Sequence, residues 1–281
     1  MAMGVYAVTG AASGMGAASA NRLRAAGHTV ITIDLKEGDV VADLATPAGR
    51  SAAVRQTLER AGNRLDGAVL AAGLGPVPGK EQTLAQVNVR GVIELLEGWR
   101  PALAAAGNSK VVVFGSNSTT TTPAVPMSAV RAFLAGDLDK GVRRAGRIRP
   151  AAAPFTYAAS KIAVTHWVRR NAVTPDWAGA GIRLNILAPG AVATPLLDTQ
   201  LASPEGDRVR SFPVPIGGFG EPDRIAEWVE FMLSPAADFL VGSVVVVDGG
   251  SEAWFRAVDW PRPVPVRKVL RYVRRMRSFR R

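Results

Sequence analysis

Short apolar runs alternate with longer stretches of helical periodicity along most of the chain. Residues 5–8 form the first apolar run, residues 17–26 have helical periodicity, and residues 29–33 form a second apolar run. Such runs predict buried strands, and their alternation with helices predicts a parallel, doubly wound sheet. No linker or internal repeat divides the chain, so the pattern predicts one α/β domain with helices on both faces of the sheet.

A glycine-rich turn joins the first predicted strand to the first predicted helix. Gly10 would permit the tight turn, Gly14 would let a pyrophosphate approach the backbone, and Gly16 would let the helix pack closely on the strand. The helix N-terminus would then offer unpaired N–H groups to the phosphates. Asp34 follows the second predicted strand, at the distance expected of a ribose-binding carboxylate. These features together predict a dinucleotide site.

Tyr157 and Lys161 lie four residues apart, a spacing that places both side chains on one face of a helix. A phenol ordinarily has a pKa near ~10, so it is a poor proton donor or acceptor at neutral pH. A neighbouring cation favours the phenolate and lowers the phenol pKa toward the range of an acid/base catalyst. The same spacing occurs on many solvated helices, so the pair alone does not identify a catalyst.

Composition excludes several kinds of chemistry. The 281 residues include no cysteine, which excludes disulfides and thiolate metal ligands. The two histidines, His28 and His166, are far apart in the sequence and lack acidic ligand patterns nearby, so no metal is expected. No long apolar span or signal peptide is visible, and the expected location is the cytoplasm.

The chain resembles the short-chain dehydrogenase/reductase family over residues 3–251. The glycine turn and the Tyr–Lys pair match two of the family motifs, and the others follow in the family order as Ala71-Ala72-Gly73, Asn88, Ser116, and Pro189-Gly190 with Thr194. Both asparagines that the family places before Gly73 are absent, which puts the affinity for the cofactor in question. The resemblance implies a single Rossmann domain with a parallel seven-stranded sheet.

The resemblance also implies roles for individual residues. Tyr157 would exchange a proton with the substrate oxygen, and Ser116 would hydrogen-bond that oxygen. Lys161 would lower the pKa of Tyr157 and bind the nicotinamide ribose, while Asn88 would support a water path to solvent. Ser118 is an alternative to Ser116, although the end of the strand favours Ser116. The expected cofactor contacts are Gly10, Ser13, Gly14, Met15, Gly16, Asp34, Asp43, Leu44, Ala72, Gly73, Tyr157, Lys161, Pro189, Gly190, Val192 and Thr194.

The motifs predict an oxidoreductase that transfers hydride between a nicotinamide cofactor and a secondary alcohol or ketone. NAD is favoured over NADP because Asp34 would repel a 2′-phosphate and Ser13 offers no cation, although Lys36 could soften the repulsion. Within the family, the chain is similar to bacterial 3α-hydroxysteroid dehydrogenases/carbonyl reductases in its short segment after Asp34, its Leu74-Gly75-Pro76 sequence and its long insertion 117–154. This similarity implies an apolar cyclic substrate such as a 3-hydroxysteroid.

Two alternative functions remain open at this stage. A 3-oxoacyl-thioester reductase usually requires NADPH, which Asp34 disfavours. A dinucleotide-sensing binding protein, whose basic C-terminus engages a membrane or partner, would tend to lose Tyr157 or Lys161, and both are present.

An apolar segment, 195–220, is expected to form a mobile lid that suits a steroid, terpenoid or aromatic ketone. The same apolar residues would also pack short helices in the absence of any such substrate. The predicted organisation is a catalytic domain (1–254) containing the insertion 117–154 and this lid, followed by a C-terminal tail (255–281).

The C-terminal tail is strongly basic. Residues 256–281 contain ten Arg or Lys and one acid, and they carry nine of the eleven net positive charges. Apolar residues recur there at helical spacing, namely Val266, Val269, Leu270, Val273, Met276 and Phe279. Such a helix is typical of peripheral contact with the inner face of a membrane or with an acidic partner, and it could also pack on its own enzyme or a dimer mate. No groove-reading motif accompanies the charge, so no nucleic acid is expected.

The family resemblance implies a homodimer or a homotetramer. Tetramers of the family pair helices that correspond to residues 83–106 and 157–171. The similarity to the hydroxysteroid dehydrogenases implies instead that the insertion 117–154 covers that face and leaves a dimer built through residues 221–234 and 244–248, and both assemblies stay open.

Overall fold

The structure is a computed structural model that describes residues 3–147, 151–202, 206–261 and 263–278. Its strands, within these residues, are β1 (Val5–Thr9), β2 (Thr29–Asp34), β3 (Val40–Val41), β4 (Gly67–Leu70), β5 (Ser109–Phe114), β6 (Ile182–Pro189) and β7 (Val244–Val247). They form one parallel sheet in the order β3-β2-β1-β4-β5-β6-β7. The predicted α/β fold with a parallel seven-stranded sheet is confirmed.

Helices connect the strands and cover both faces of the sheet. In the described part of the chain they are α1 (Gly14–Ala25), α2 (Pro47–Arg60), α3 (Glu81–Ala85), a π-helical turn (Gln86–Gly91), α4 (Val92–Ala105), α5 (Ser118–Thr121), α6 (Met127–Leu134), α7 (Leu138–Ala145), α8 (Ala152–Asn171), α9 (Pro195–Leu201), α10 (Gly206–Arg210), α11 (Pro222–Leu233), a 3₁₀ turn (Pro235–Ala237), α12 (Ser251–Arg256), a second 3₁₀ turn (Val266–Lys268) and α13 (Val269–Ser278).

Side chains of each strand alternate between two apolar cores, because successive strand residues point to opposite faces of a sheet. In β1, Ala7 belongs to one core, whereas Tyr6 and Val8 belong to the other. Helices α2, α4 and α8 cover the first face, and α1 and α11 cover the second. Both faces of the sheet are therefore buried, as a parallel sheet requires.

The elements around the glycine turn differ slightly from the sequence-based expectation, since β1 and β2 each end one residue later and α1 is shifted toward the N-terminus. Helix α1 begins at Gly14 rather than at residue 17, because the Ala17 amide already donates to the Ser13 carbonyl within the glycine turn (3.1 Å). Strand β2 includes Asp34 as its last residue. The carboxylate therefore lies at the end of the strand itself, beside the glycine turn.

The order of the strands creates a crevice beside β1. Strands β2 and β3 lie on one side of β1, and β4 to β7 lie on the other. Ligands of open α/β sheets bind outside the carboxyl ends of the strands at this kind of reversal. The glycine turn follows β1 and residues 71–73 follow β4, so both segments meet at this crevice.

The predicted insertion 117–154 contains α5, α6 and α7, with residues 148–150 lying outside the described part of the chain. Helices α6 and α7 pack against α8, and α7 also contacts α3. Phe133 and Val130 are buried in a third apolar cluster that these helices share with α8. The insertion thus covers one side of α8 with residues of the same protomer.

The lid and the tail are both helical where they are described. The lid segment contains α9 and α10, and its residues 203–205 lie outside the described residues. A methyl group added at Gly75 would lie 2.8 Å from Leu196 Cδ1, so α9 packs on the segment after β4. The predicted division of the chain after residue 254 falls within α12, and it stays a prediction.

Within residues 3–147, 151–202, 206–261 and 263–278, no helix combines the length and apolar character needed to cross a bilayer.

The core of the sheet should dominate stability. Leu95 of α4 has no exposed surface, whereas Leu270 of α13 is 87 % exposed. We expect Leu95→Ala to lower the free energy of unfolding by about 2–5 kcal/mol, because it removes buried apolar contacts and leaves a cavity. The matched Leu270→Ala should change it by less than about 0.5 kcal/mol. Urea denaturation followed by circular dichroism measures both, and equal losses would contradict the described packing.

Candidate active site

Three elements bring the predicted catalytic residues to the carboxyl end of the sheet. Helix α8 carries Tyr157 and Lys161, Ser116 lies just after β5, and Asn88 lies in the π-helical turn. Ser116, Lys161 and Asn88 are buried, while Tyr157 is partly buried.

Asn88 is held by the π-helical turn and fixes the segment after β4. Its Oδ1 atom accepts a hydrogen bond from the Leu74 amide (2.8 Å), and its Nδ2 atom donates to the Leu74 carbonyl (2.9 Å). A π-helical turn widens a helix locally and is found mostly at functional sites. Here it turns the Asn88 side chain toward the backbone next to Gly73.

Lys161 is anchored to the end of β5. Its Nζ atom donates to the Phe114 carbonyl (2.9 Å). A methyl group added at Gly73 would lie 3.6 Å from this Nζ and 3.3 Å from Asn88 Oδ1, so Gly73 is adjacent to both side chains. Burial lowers the pKa of Lys161 to about 8, because the ammonium loses solvation.

The pKa of Tyr157 departs from its ordinary value in the direction opposite to the sequence-based expectation. Burial raises this pKa, and a hydrogen bond between Tyr157 and Ser116 opposes the rise. Lys161 Nζ lies 5.9 Å from the centre of the Tyr157 ring, beside the aromatic face. The prediction that Lys161 lowers the pKa of Tyr157 is therefore wrong for the protein without a cofactor, because burial of the phenol has the larger effect.

The two candidate serines have different surroundings. Ser116 interacts with the Tyr157 phenol and opposes the rise in its pKa, and the Ser116 Oγ atom accepts a hydrogen bond from the Ser118 amide (3.1 Å). The Ser118 Oγ atom is buried and has no hydrogen-bond partner among the described residues. The contact with the phenol therefore favours Ser116, as the position at the strand end had suggested.

The glycine turn has the geometry that a phosphate cradle needs. Gly10 and Gly14 have positive φ angles of 70° and 53°, which glycine adopts at little cost. A methyl group added at Gly16 would lie 2.0 Å from the Gly10 carbonyl oxygen. Helix α1 can therefore pack this closely on the turn only because residue 16 has no side chain. Ser13 precedes α1 without a side-chain capping bond, and Met15 lies in the first turn. The first amides of α1 therefore remain available to a ligand.

Asp34 lies against this turn. Its Oδ2 atom accepts from the Ala12 amide (3.1 Å), and its Oδ1 atom accepts from the Leu35 amide (2.7 Å). These bonds fix the carboxylate at the end of β2, next to the phosphate cradle. The arrangement fits the ribose hydroxyls of a dinucleotide, which would donate to the remaining lone pairs.

The segment that contains Asp43 and Leu44 runs beside β2 and is fixed by Arg50. The Arg50 guanidinium is buried, donates from Nη1 to the Leu44 carbonyl (3.0 Å), and pairs through Nε with Glu94 (2.6 Å). Sequence reasoning missed Arg50. The one signal in the sequence was an arginine six residues after Leu44, and its contact depends on α2, which the sequence analysis did not predict.

Residues 189–194 close the other side of the crevice. Pro189 ends β6, and Gly190 packs so closely that an added methyl group would lie 2.7 Å from Asp248 Cβ. Val192 pairs with Gly220 of the lid segment. Thr194 caps α9, and its Cγ2 atom would lie 3.1 Å from a methyl group added at Gly14.

Thr9, the first residue of the glycine turn motif, has a role that sequence reasoning did not assign. Its Oγ1 atom accepts from the Ala72 amide (3.1 Å), so it joins the end of β1 to the segment before Gly73. A methyl group added at Gly10 would lie 2.7 Å from that same amide nitrogen. These backbone contacts hold the Ala71–Gly73 segment in place although both family asparagines are absent.

Known proteins resemble this chain over most of its length. A family model described as enoyl-(acyl carrier protein) reductase matches residues 142–252. The 3-alpha-hydroxysteroid dehydrogenase/carbonyl reductase of Comamonas testosteroni is 36% identical over 259 residues, which is 92% of this chain and 100% of that protein. The cis-4-hydroxycyclohexanecarboxylate dehydrogenase of Sinomonas cyclohexanicum is 31% identical, covering 89% of this chain and 96% of its own.

A solved structure gives a similar result. The 3-alpha-hydroxysteroid dehydrogenase from Pseudomonas sp. B-0831, complexed with NADH, is 44% identical and superimposes with a TM-score of 0.85. The match covers 90% of this chain and 99% of that chain.

The buried ammonium of Lys161 should make stability depend on pH. Below its folded-state pKa of about 8, Lys161 is charged whether the chain is folded or unfolded. Above that pH the folded protein releases the proton, while the unfolded chain, with the ordinary pKa of 10.5, retains it. Because the unfolded state then binds more protons, the free energy of unfolding should rise with pH in this window.

Between about pH 8 and about pH 9.5, we expect the free energy of unfolding of the unmodified protein to rise by about 1–2 kcal/mol more than that of the Lys161→Met variant, which has no ammonium at this position. Urea titrations at several pH values measure the difference. A difference that stays constant across this window would show that Lys161 is not the titrating group.

Proposed function

Since the chain belongs to the short-chain dehydrogenase/reductase family, we propose that it oxidises the secondary alcohol of apolar cyclic substrates, such as 3-hydroxysteroids, with NAD and reduces the corresponding ketones. The general class is that of an alcohol dehydrogenase or carbonyl reductase that acts on CH–OH groups and uses a nicotinamide cofactor.

One observation carries the proposal. Tyr157 and Ser116 meet at the carboxyl end of β5, where Ser116 opposes the rise in the pKa of the phenol, and Lys161 Nζ lies beside the same ring. A substrate oxygen placed at this pair would meet one group that exchanges a proton and another that donates a hydrogen bond. The bound nicotinamide would accept the hydride from the alcohol carbon, or deliver one to the carbonyl carbon.

Each residue of the site has a distinct proposed task. Tyr157 accepts the hydroxyl proton during oxidation and returns it during reduction. Ser116 holds the substrate oxygen beside the phenol, which contributes positioning and electrostatic stabilisation. Lys161 holds a positive charge near the phenol and binds the nicotinamide ribose. Asn88 is a positioning residue, since both ends of its amide are hydrogen-bonded to the Leu74 backbone beside Gly73, and it would support a water path from Lys161 to solvent.

The cofactor would be held by residues that the structure gathers along the crevice. Its pyrophosphate would lie on the open amides of α1, and its adenosine ribose would lie against Asp34. Asp43 and Leu44 would contact the adenine, with Arg50 fixing their backbone. Residues 71–73 and 189–194 would close the two sides. The carboxylate of Asp34 supports NAD rather than NADP, because it would repel a 2′-phosphate.

The substrate class is supported by relatives and by the apolar lid. The names of the two relatives given above describe substrates whose hydroxyl group is attached to a ring. Leu196 and Phe219 of the lid segment each expose more than a third of their surface. An apolar ring would cover these side chains and be released from water.

We infer a cytoplasmic enzyme that assembles as a dimer through α11 and β7, because the insertion packs on α8 and covers the face used by family tetramers. Trp228 and Phe231 of α11 are exposed in the protomer, which suits an interface there.

The first test is turnover with Tyr157→Phe as the catalytic variant. We expect NAD-dependent oxidation of 3-hydroxysteroids or simple alicyclic alcohols, and a loss of at least about 100-fold in kcat in the variant, because the proton acceptor is removed. Binding of NAD, followed by fluorescence or calorimetry, should be retained since the ring remains.

Tyr272→Phe is the matched control, because Tyr272 is exposed on α13 and should keep full activity. Tight NAD binding without turnover on the whole panel would favour the dinucleotide-sensing alternative. Turnover confined to 3-oxoacyl thioesters with NADPH would favour the acyl-thioester reductase.

A second test addresses the choice of cofactor. Asp34→Asn removes the charge but keeps an oxygen that accepts from the Ala12 amide. We expect the ratio of kcat/KM for NADP to that for NAD to rise by about 100-fold, because close like-charge contacts oppose binding by several kcal/mol. Glu37→Gln removes an exposed charge from the next turn and serves as the control. Equal shifts in the two variants would overturn the assigned role of Asp34.

A further inference from the structure

The C-terminal segment 263–278 is separate from the packed body of the protein. All of its residues are exposed except Val273, which is half-buried. Helix α13 has its main contacts with the 3₁₀ turn that precedes it. Phe279, which the sequence pattern placed on the apolar side, lies outside the described residues. Within this segment, therefore, the alternative in which the helix packs on its own domain is not observed.

The helix divides its surface between apolar and cationic side chains. At 100° per residue, the apolar side chains of α13 fall within about half of the helix circumference. These apolar residues are Val269, Leu270, Tyr272, Val273 and Met276, and the cations of the segment on the opposite side are Arg267, Lys268, Arg271, Arg274 and Arg275. No Asp or Glu follows Asp259 in the sequence. Ser278 is the one uncharged residue of α13 on the polar side, and Arg277 lies at the edge of the apolar side, next to Leu270.

We propose that α13 and its preceding turn form an amphipathic anchor that binds the surface of an anionic lipid bilayer. The helix would lie parallel to the surface, with its apolar side among the acyl chains and its arginines at the lipid phosphates. Basic segments are attracted to anionic leaflets over about one Debye length. Trp254 and Trp260, both exposed just before the helix, are residue types that favour the membrane interface.

Charge and exposure together favour a lipid surface over other occupants. A nucleic acid would neutralise the arginines but leave Leu270 and Met276, which are 87 % and 61 % exposed, in water. A second copy of the helix could cover the apolar side, but it would bring two rows of arginines close together. An anionic bilayer satisfies both sides of the helix at once.

The position of the anchor gives it a consequence for the proposed enzyme. Helix α12, from which the segment continues, contacts α5 just after Ser116. Ser251 donates to the Pro213 carbonyl of the lid segment (2.7 Å), and the rings of Phe255 and Phe212 are 5.6 Å apart. The anchor thus starts beside the lid. If the proposed function holds, membrane binding would bring the site close to a phase in which apolar substrates concentrate.

The experiment is sedimentation of the full-length protein with lipid vesicles. Two compositions are used, pure phosphatidylcholine and phosphatidylcholine with about one-third phosphatidylglycerol, an anionic lipid. The unmodified protein should bind the anionic vesicles and not the neutral ones, and binding should weaken when salt shortens the Debye length from about 10 Å to about 3 Å.

The test variant reverses three charges on the cationic side, Arg271→Glu, Arg274→Glu and Arg275→Glu. Because each basic residue near an anionic surface contributes roughly a factor of five to binding, the vesicle affinity should fall by at least about 100-fold. The control reverses three exposed arginines elsewhere, Arg60→Glu, Arg143→Glu and Arg170→Glu, and it should bind like the unmodified protein. Equal losses in both variants would mean that net charge alone drives binding and would overturn the anchor.

A further variant tests the apolar side of the helix. Leu270→Ser with Met276→Ser keeps every charge, and it should also weaken binding to anionic vesicles. Absence of vesicle binding by the unmodified protein would overturn the proposal. A lower mass in solution for the charge-reversed variant would also overturn it, because it would show that the helix binds a second copy of the chain. Turnover of a water-soluble alicyclic alcohol without vesicles is measured separately, so failure of the proposed function is distinguishable from failure of the anchor.

Discussion

The contact between the buried Lys161 ammonium and the Phe114 carbonyl is the interaction on which the site depends. It joins α8 to the end of β5, so the helix that carries Tyr157 is fixed relative to the strand that precedes Ser116. The same ammonium lies next to Gly73 and Asn88 and thereby reaches the segment after β4. Its burial opposes the charged state, and in the proposed binding mode hydrogen bonds from the ammonium to the nicotinamide ribose would favour that state again. Cofactor binding and the protonation of the site are coupled for this reason.

Much of this arrangement could be predicted from the sequence because it rests on local rules. Apolar runs separated by helical periodicity indicated the parallel sheet, and the glycines at positions 10, 14 and 16 indicated the turn that follows β1. Family motifs placed Ser116, Tyr157 and Lys161 in one site, and the structure brings them together. The fold, the family and the class of enzyme are confirmed, whereas the roles of the individual residues remain predictions.

What the sequence did not reveal depends on contacts between distant segments. The Arg50 contact with the Leu44 carbonyl exists only because α2 packs beside α4, where Glu94 supplies the opposite charge. The direction of the Tyr157 pKa shift also required the fold, since charge proximity and burial act in opposite directions and only the structure gives their balance. Helix spacing alone suggested proximity to a cation and could not include desolvation.

The π-helical turn at Asn88 has a consequence for how this part of the chain can vary. Such a turn is equivalent to one extra residue in an α-helix, so α3 and α4 on its two sides are out of phase with each other. Removing a single residue from this stretch would restore a regular helix and rotate everything on one side by about 100° about the axis. Either Asn88 would leave the Leu74 backbone or α4 would turn its apolar stripe away from the sheet. Substitutions should therefore be tolerated here far more readily than changes in length.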